Sequence, residues 1–385
     1  MSHPNHPHLP DKESPQRAHD APNGIISDPV RLQAAPILEV KNLKMHFTRH
    51  RGVFGREMHY TKAVDDVSFI IRRGETLGLV GESGCGKTTI GRCIMRAYQP
   101  TGGQILYYKG TENSQAVDLA QLSVQDLVTY RREIRMIFQD PYSSLNPRMT
   151  VFEIVSEVLR VNHLATGSEL QDRVELLLKQ VGLRPEYMRR YPHAFSGGER
   201  QRIVIARALA TNPRLIIADE PISALDVSIR SQILNLLQDL QQELGLTYLF
   251  ISHDLSVIRQ ICDRVVVMYV GKLAETADAA TFYAHPKHPY TEALLSSVPI
   301  HNPRLRAKKQ RIRLTGEIAD PANPPSGCYF HPRCLYVQDR CKHEPPPLYP
   351  IEDSDSKGNQ VEHFVSCHFA QTLQLRGTVS QESDT

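Results

Sequence analysis

Apolar residues along this chain follow two rhythms, broken by glycine-rich turns. "ILEVKNLKMHF" (37–47) alternates with period two and predicts a strand, and "AVDDVSFII" (63–71) predicts its partner. "ETLGLV" (75–80) is a short apolar run before a glycine-rich turn, so it predicts a buried strand leading into a helix. Within about 149–190, "VFEIVSEVLRV" and "LQDRVELLLKQVG" carry apolar residues at helical spacing and predict a helical insert. "RLIIADE" (214–220), "YLFISHD" (248–254) and "RVVVMYV" (264–270) predict further buried strands. Between the first two of these, Ile229, Ile233, Leu236, Leu237, Leu240 and Leu244 form one stripe, and Gly245 is a natural stop. Strands alternating with helices argue for a parallel sheet with right-handed crossovers.

Outside this region the pattern fades. Residues 1–35 are rich in Pro, His and polar residues without periodicity, and predict a disordered arm. His3, His6 and His8 within it are expected to be solvated rather than metal-bound. After about residue 280 Pro and His rise, a basic stretch at 304–313 reads as a solvated linker, and 371–385 reads as a polar tail. The expected division is therefore an arm (1–35), a main domain (36–280, with a helical subdomain at about 140–212), an extension (281–370) and a tail (371–385). The chain of 385 residues, 41% hydrophobic, can bury a sizeable core, and its net charge of +3 gives no general case for a nucleic-acid partner. No run approaches the roughly 18 apolar residues of a membrane helix. The first twenty residues have no apolar signal core, so a cytosolic compartment without stable disulfides is expected.

Chemistry enters with "GESGCGKTT" (81–89), which fits G-x-x-x-x-G-K-[ST]. Gly81, Gly84 and Gly86 allow a curled backbone whose N–H groups face a phosphate. Glu82, Ser83, Cys85, Gly86 and Thr89 complete the loop, and a helix opening near Lys87 points its dipole at the same anion. Lys87 would reach the β- and γ-phosphates of ATP, and the Thr88 hydroxyl would ligate Mg²⁺. "LIIADE" delivers Asp219 and Glu220 to the C-terminal edge of a strand, where α/β ligands bind. Asp219 would hold Mg²⁺ through water, and Glu220 would act as general base.

"FSGGERQRIVIARAL" (195–209) resembles the signature sequence of ABC ATPases. The resemblance implies an α/β P-loop NTPase with an antiparallel β subdomain, a helical subdomain and here a small Cys-containing C-terminal extension. It implies a head-to-tail dimer in which Ser196, Gly197, Gly198 and Glu199 of one chain meet the ATP of the other. Glu199 stands where the commonest family form has Gln. Gln139 in "IFQD" looks like the family's Q-loop glutamine, contributing to the Mg²⁺ site with Thr88 and Asp219. Asp226 in "SALD" looks like the D-loop aspartate, and His253 in "ISHD" the switch histidine. An aromatic residue that stacks on adenine is expected from the first strands; Phe47 is the choice, Tyr60 the alternative.

"VGESGCGKTT", "FQDPYSSLNPR", "YPHAFSGGERQR", "DEPISALDVSI", "HPYTEALLSSVP" and "PANPPSGCYFHPRC" together resemble the ATP-binding subunits of bacterial dipeptide and oligopeptide importers, of the F-type. That resemblance implies a homologous ATPase partner (a heterodimer, with a homodimer as the alternative), two transmembrane permease subunits, an extracytoplasmic solute-binding protein and a place on the cytoplasmic face of the inner membrane. A related importer for nickel or another solute is the alternative. A non-transport ABC ATPase acting on nucleic acid or ribosomes is disfavoured by the single P-loop and the nearly balanced charge.

Seven cysteines remain to be sorted. Cys85 fills the loop, Cys93 falls in the following helix and Cys262 is expected to be buried. Cys328, Cys334, Cys341 and Cys367 are separated by five, six and twenty-five residues, which is not the tight pair of a structural zinc site. The spacing leaves iron–sulfur, zinc and no metal open. The resemblance to the importer extension favours a [4Fe–4S] cluster, with a Cys/His zinc site using His331, His343 or His368 as the alternative. Either would be a staple for a segment poor in apolar residues.

Overall fold

The computed structural model describes residues 34–51, 57–110, 115–299, 311–354 and 360–378. The arm at 1–33, residues 304–310 of the basic stretch and the end of the tail (379–385) lie outside the described residues.

Two sheets organise the chain. The first is antiparallel, in the order β2-β1-β4-β5, built from β1 (Pro36–Arg51), β2 (Glu57–Arg72), β4 (Gly102–Tyr108) and β5 (Ala116–Asp118). The two strands read at 37–47 and 63–71 do pair, Val40 opposite Phe69 and Met45 opposite Val64, but they run on into the intervening sequence until Arg51 faces Glu57. The second sheet has eight strands in the order β11-β12-β10-β9-β3-β8-β7-β6. Its parallel part holds β6 (Ile134–Ile137), β7 (Leu215–Asp219), β8 (Thr247–Ser252), β3 (Thr76–Val80) and β9 (Arg264–Tyr269). Every residue of β3, β7, β8 and β9 is buried, as expected of strands covered on both faces.

Helices follow from local signals. α1 (Lys87–Ile94) opens directly from the glycine-rich loop. α2 (Leu127–Glu133) precedes β6, and the single turn α3 (Pro141–Ser144) is capped by the Asp140 carboxylate. α4 (Val151–Val161) starts with a capping box, Thr150 Oγ1 accepting from the Glu153 N–H while the Glu153 side chain accepts from the Thr150 N–H. α5 (Ser168–Gln180) and α6 (Gly197–Leu209) pack with it. α7 (Val227–Leu244) stops at Gly245, whose φ of +64° suits a residue without a Cβ. Its buried face is Ile233, Leu234, Leu237, Leu240 and Gln241; Leu244, assigned to the stripe above, is exposed in the last turn.

The extension packs against the main domain. α8 (Leu255–Ile261) leads into β9, then β10 (Lys272–Asp278), α9 (Ala279–Ala284) and α10 (Pro289–Ser297). The hairpin of β11 (Tyr349–Ser354) and β12 (Gln360–Val365) adds to the same large sheet, with Val365 opposite Glu275 of β10. Glu275, fully buried, accepts from the Lys287 and His288 N–H groups at 2.8 and 2.9 Å and contacts His363 Nε2 at 2.7 Å. Phe330 is buried in the main core among Tyr269, Tyr290 and His288. This segment has a core to fold against.

Candidate functional site

The parallel strands end along one edge, and the loops after β3, β7 and β8 meet there. A cavity at this edge is lined by Ala63, Ser83, Gly84, Gly86, Lys87, Thr88, Thr89, Gln139, Glu220 and His253. Residues from 63 to 253 in the sequence thus converge on one space.

The loop is shaped by close approach. A Cβ on Gly86 (φ +108°) would lie 2.1 Å from the Ala63 carbonyl oxygen, and one on Gly81 (φ +150°) 2.2 Å from the Met268 carbonyl oxygen. The Lys87 ammonium, nearly buried, donates to the Gly81 and Glu82 carbonyls at 2.7 and 2.9 Å, which holds it across the mouth of the loop. Thr88 Oγ1 donates to Asp219 Oδ1 at 3.0 Å. Burial pushes the Asp219 carboxyl above the usual carboxylate range; the Thr88 hydrogen bond opposes this and the charge of Glu220 adds to it. A hydroxyl and a carboxylate in contact are the hard oxygen donors that Mg²⁺ takes, so the donor set fits that ion.

Glu220 is held on both oxygens. Gln139 Nε2 donates to Oε2 at 3.0 Å, and His253 Nδ1 lies 2.9 Å from Oε1. Its backbone has φ +47°, a left-handed conformation rare outside glycine, and its N–H donates to the Ile251 carbonyl at 2.9 Å. A strained backbone that turns one carboxylate toward two polar partners at a cavity is an arrangement stored at functional sites.

Not every sequence candidate reaches this cavity. Gly81, Glu82, Cys85 and Asp219 are not in its lining, though Asp219 bonds Thr88, which is. Cys85, Cys93 and Cys262 are buried, and burial raises each thiol, Cys93 to about 12. Phe47 is not in the cavity lining and packs edge-on against Tyr98, centroids 5.4 Å apart. Tyr60 is 47% exposed and lies three residues before Ala63, which lines the cavity. Two contributors were missed: Ala63 itself, and the residues of the extension that grip Glu82. Nothing in local sequence marks either, because both act through contacts far apart in the chain.

Ser196, Gly197, Gly198 and Glu199 stand apart from the cavity at the start of α6. Ser196 Oγ accepts from the Glu199 N–H at 3.3 Å, and the Glu199 carboxylate accepts from the Ser196 N–H at 2.9 Å. Glu in place of Gln therefore completes a capping box and adds a negative charge where the helix dipole favours one. Gly198 packs against α7, where a Cβ would come within 2.5 Å of Ile229 Cγ2. Asp226 is exposed at the start of α7, beside the highly exposed Val227.

Cys328, Cys334, Cys341 and Cys367 line one cavity with His288, His331 and His368. His343 is not in its lining and lies on the surface, 3.8 Å from Asp339. Burial raises the Cys334 thiol to about 12 and Cys367 to about 11, and the neighbouring thiols add to both shifts. Four thiols in one apolar space match a thiolate-binding metal in donor type and number. Among the described residues, however, no three His, Cys, Asp or Glu side chains are gathered into a metal-holding group. Among them, too, no helix is long and apolar enough to cross a membrane.

Comparison with known proteins fits this geometry. The ABC transporter family pattern matches residues 64–223, and the pattern for the oligopeptide/dipeptide transporter C-terminal region matches 274–341. The oligopeptide transport ATP-binding protein AppF of Bacillus subtilis is 52% identical over 333 residues, 86% of this chain and 97% of the relative. Among solved structures, the ATP-binding cassette MJ0796, a dimer in a post-hydrolysis state bound to ADP and Pi, is 31% identical with a TM-score of 0.53, covering 63% of this chain and 98% of the other. CbiO1 of Clostridium perfringens, part of the transporter complex cbiONQ, is 27% identical with a TM-score of 0.57, covering 71% and 98%. The chain belongs to the ABC transporter ATP-binding family, as an ATPase cassette of the branch that carries the oligopeptide/dipeptide C-terminal region.

Proposed function

We propose that this chain hydrolyses ATP to drive import of di- or oligopeptides through a membrane permease. The observation that carries the proposal is one cavity holding the Lys87 loop and the doubly tethered Glu220, in a chain 52% identical to an oligopeptide transport ATP-binding protein. ATP is the substrate; Thr88, Gln139 and Asp219 would hold Mg²⁺, which would supply charge compensation to the phosphates. Lys87 and the loop amides counter the charge of the transferring phosphoryl group. Glu220 accepts a proton from the attacking water, and Gln139 and His253 fix the direction of its carboxylate. Phe47 on the first strand is the adenine platform, with the exposed Tyr60 as the alternative.

The signature residues Ser196 to Glu199 are not in the lining of their own cavity, so they serve the site of a second cassette, with Asp226 at the seam. ABC cassettes work as dimers with transmembrane permease subunits. Here the partner is a homologous ATPase in a heterodimer, the chain sits peripherally on the cytoplasmic face of the membrane, and an extracytoplasmic protein delivers the solute. Cys328, Cys334, Cys341 and Cys367 would hold a [4Fe–4S] cluster, or Zn²⁺ in its place, as a structural staple.

Two measurements test the whole. The assembled chain should turn over ATP well above a Glu220→Gln control and should co-purify with a polytopic membrane protein. Turnover equal to that control removes the engine, and a chain that never associates with membranes removes the transport reading.

A further inference from the structure

The phosphate loop contains an acid, Glu82, one residue after its first glycine. A free carboxylate there would oppose the phosphates that the loop is shaped to hold. In the fold it is turned the other way. Arg333 of the extension grips it with two parallel bonds, Nη1 to Oε2 at 2.7 Å and Nη2 to Oε1 at 3.0 Å. The guanidinium is nearly buried and is backed by Tyr269, its Cζ 5.9 Å from the ring centroid. The Glu82 N–H is also taken by the extension, donating to the Tyr290 hydroxyl at 2.9 Å. Tyr290 and Tyr269 pack with Phe330, three residues before Arg333. From below, the Gly271 N–H donates to the Cys85 carbonyl at 2.9 Å. Two residues of the loop, Glu82 and Cys85, are thus anchored by groups 186 or more positions away in sequence, two of them in the extension.

We propose that Arg333 is a positioning residue for ATP binding: it pins the Glu82 carboxylate away from the phosphate cradle, so that the C-terminal extension sets the nucleotide affinity of the loop. A bidentate Arg–carboxylate pair fixes direction as well as charge, which a surface ion pair would not. The segment bearing Arg333 also forms a wall of the cysteine cavity, between Cys328 and Cys334. The proposal rests on nucleotide binding at Lys87 and is independent of which solute is carried.

The test is titration of the full-length chain with a fluorescent ATP analogue, alongside thermal melting. Arg333→Gln should weaken binding on the order of ten-fold, because one member of a desolvated pair is left unpaired. Arg333→Lys, which keeps the charge but loses the fork, should fall between it and wild type, and it gives the reading should Arg333→Gln fail to fold. Glu82→Gln/Arg333→Gln should return to near wild-type affinity, since the acid is gone. Wild-type affinity in Arg333→Gln and Arg333→Lys would overturn the proposal, as would a double variant as weak as Arg333→Gln. Equal binding by wild type and Lys87→Ala would overturn the nucleotide site itself, and this proposal with it.

Discussion

The glycines of the phosphate loop are not equivalent, and alanine substitution should separate them. At Gly86 an added Cβ would sit 2.1 Å from the Ala63 carbonyl oxygen and 2.7 Å from Met268 Cε. A carbon–oxygen contact normally stays near 3.3 Å, so loop and strand must part by about 1 Å. The φ of +108° adds its own penalty for a residue with a side chain. Overpacking of this kind costs about 1–3 kcal/mol and the left-handed backbone about 1–2 kcal/mol more. At Gly84 the φ is +81°, but a Cβ would meet nothing within 4 Å, so only the backbone penalty applies. Gly86→Ala should therefore weaken ATP binding roughly a hundred-fold or more, and Gly84→Ala roughly ten-fold, at 1.4 kcal/mol per decade. Equilibrium titration with a fluorescent ATP analogue measures both, and a thermal melt shows whether each variant is folded. Equal losses, or a larger loss at Gly84, would refute the reasoning, because the two sites differ mainly in the space around the missing Cβ.

Three further outcomes are expected. Arg264→Met should destabilise the fold by about 3–5 kcal/mol in urea titrations, since it strips the guanidinium 3.2 Å from the fully buried Glu75. Burial already raises the Glu75 carboxyl above the usual range, so protonation favours the folded state; acidification should recover part of the loss, and a loss that grows on acidification would count against this account. Gly198→Ala, which drives a Cβ into Ile229, should lower turnover by about ten-fold or more while leaving nucleotide affinity of the single chain intact, because the signature lies outside its own cavity; parallel loss of affinity would show the two are not separate. Anaerobic purification followed by iron, sulfide and zinc analysis should find stoichiometric iron and sulfide that Cys328→Ser diminishes; zinc without iron refutes the cluster, and no metal refutes both.

The elements that could be read from sequence are those specified by their own neighbours. β3, β7, β8 and β9 are unbroken apolar runs, so burial on both faces was legible. α7 ends where Gly245 says it must. Lys87, Thr88, Gln139, Glu220 and His253 each sit at a strand end or glycine turn, and a parallel sheet aligns such ends on one edge. What local sequence does not carry is the remote contact. Glu82 reads as a loop residue facing phosphate until Arg333 is placed beside it.

The extension carries the same lesson further, because its composition hides the contacts that hold it. A stretch rich in Pro and His suggests a segment that needs a metal to order it. Yet Glu275 on β10 gathers two backbone N–H groups and the His363 ring within a fully buried site, and His363 arrives on β12, the strand that extends the sheet. A buried carboxylate held this way resists being pulled apart, since each lost partner leaves a charge without solvent. Phe330 then fills the space beneath Tyr269 and Tyr290, and Arg333 follows directly to Glu82. The extension is therefore held in part by the ATPase core, and the support runs back from the extension to the phosphate loop. Any occupant of the cysteine cavity would act on a segment that is already part of the nucleotide site's scaffold, which makes ATP affinity the property through which its gain or loss would be read.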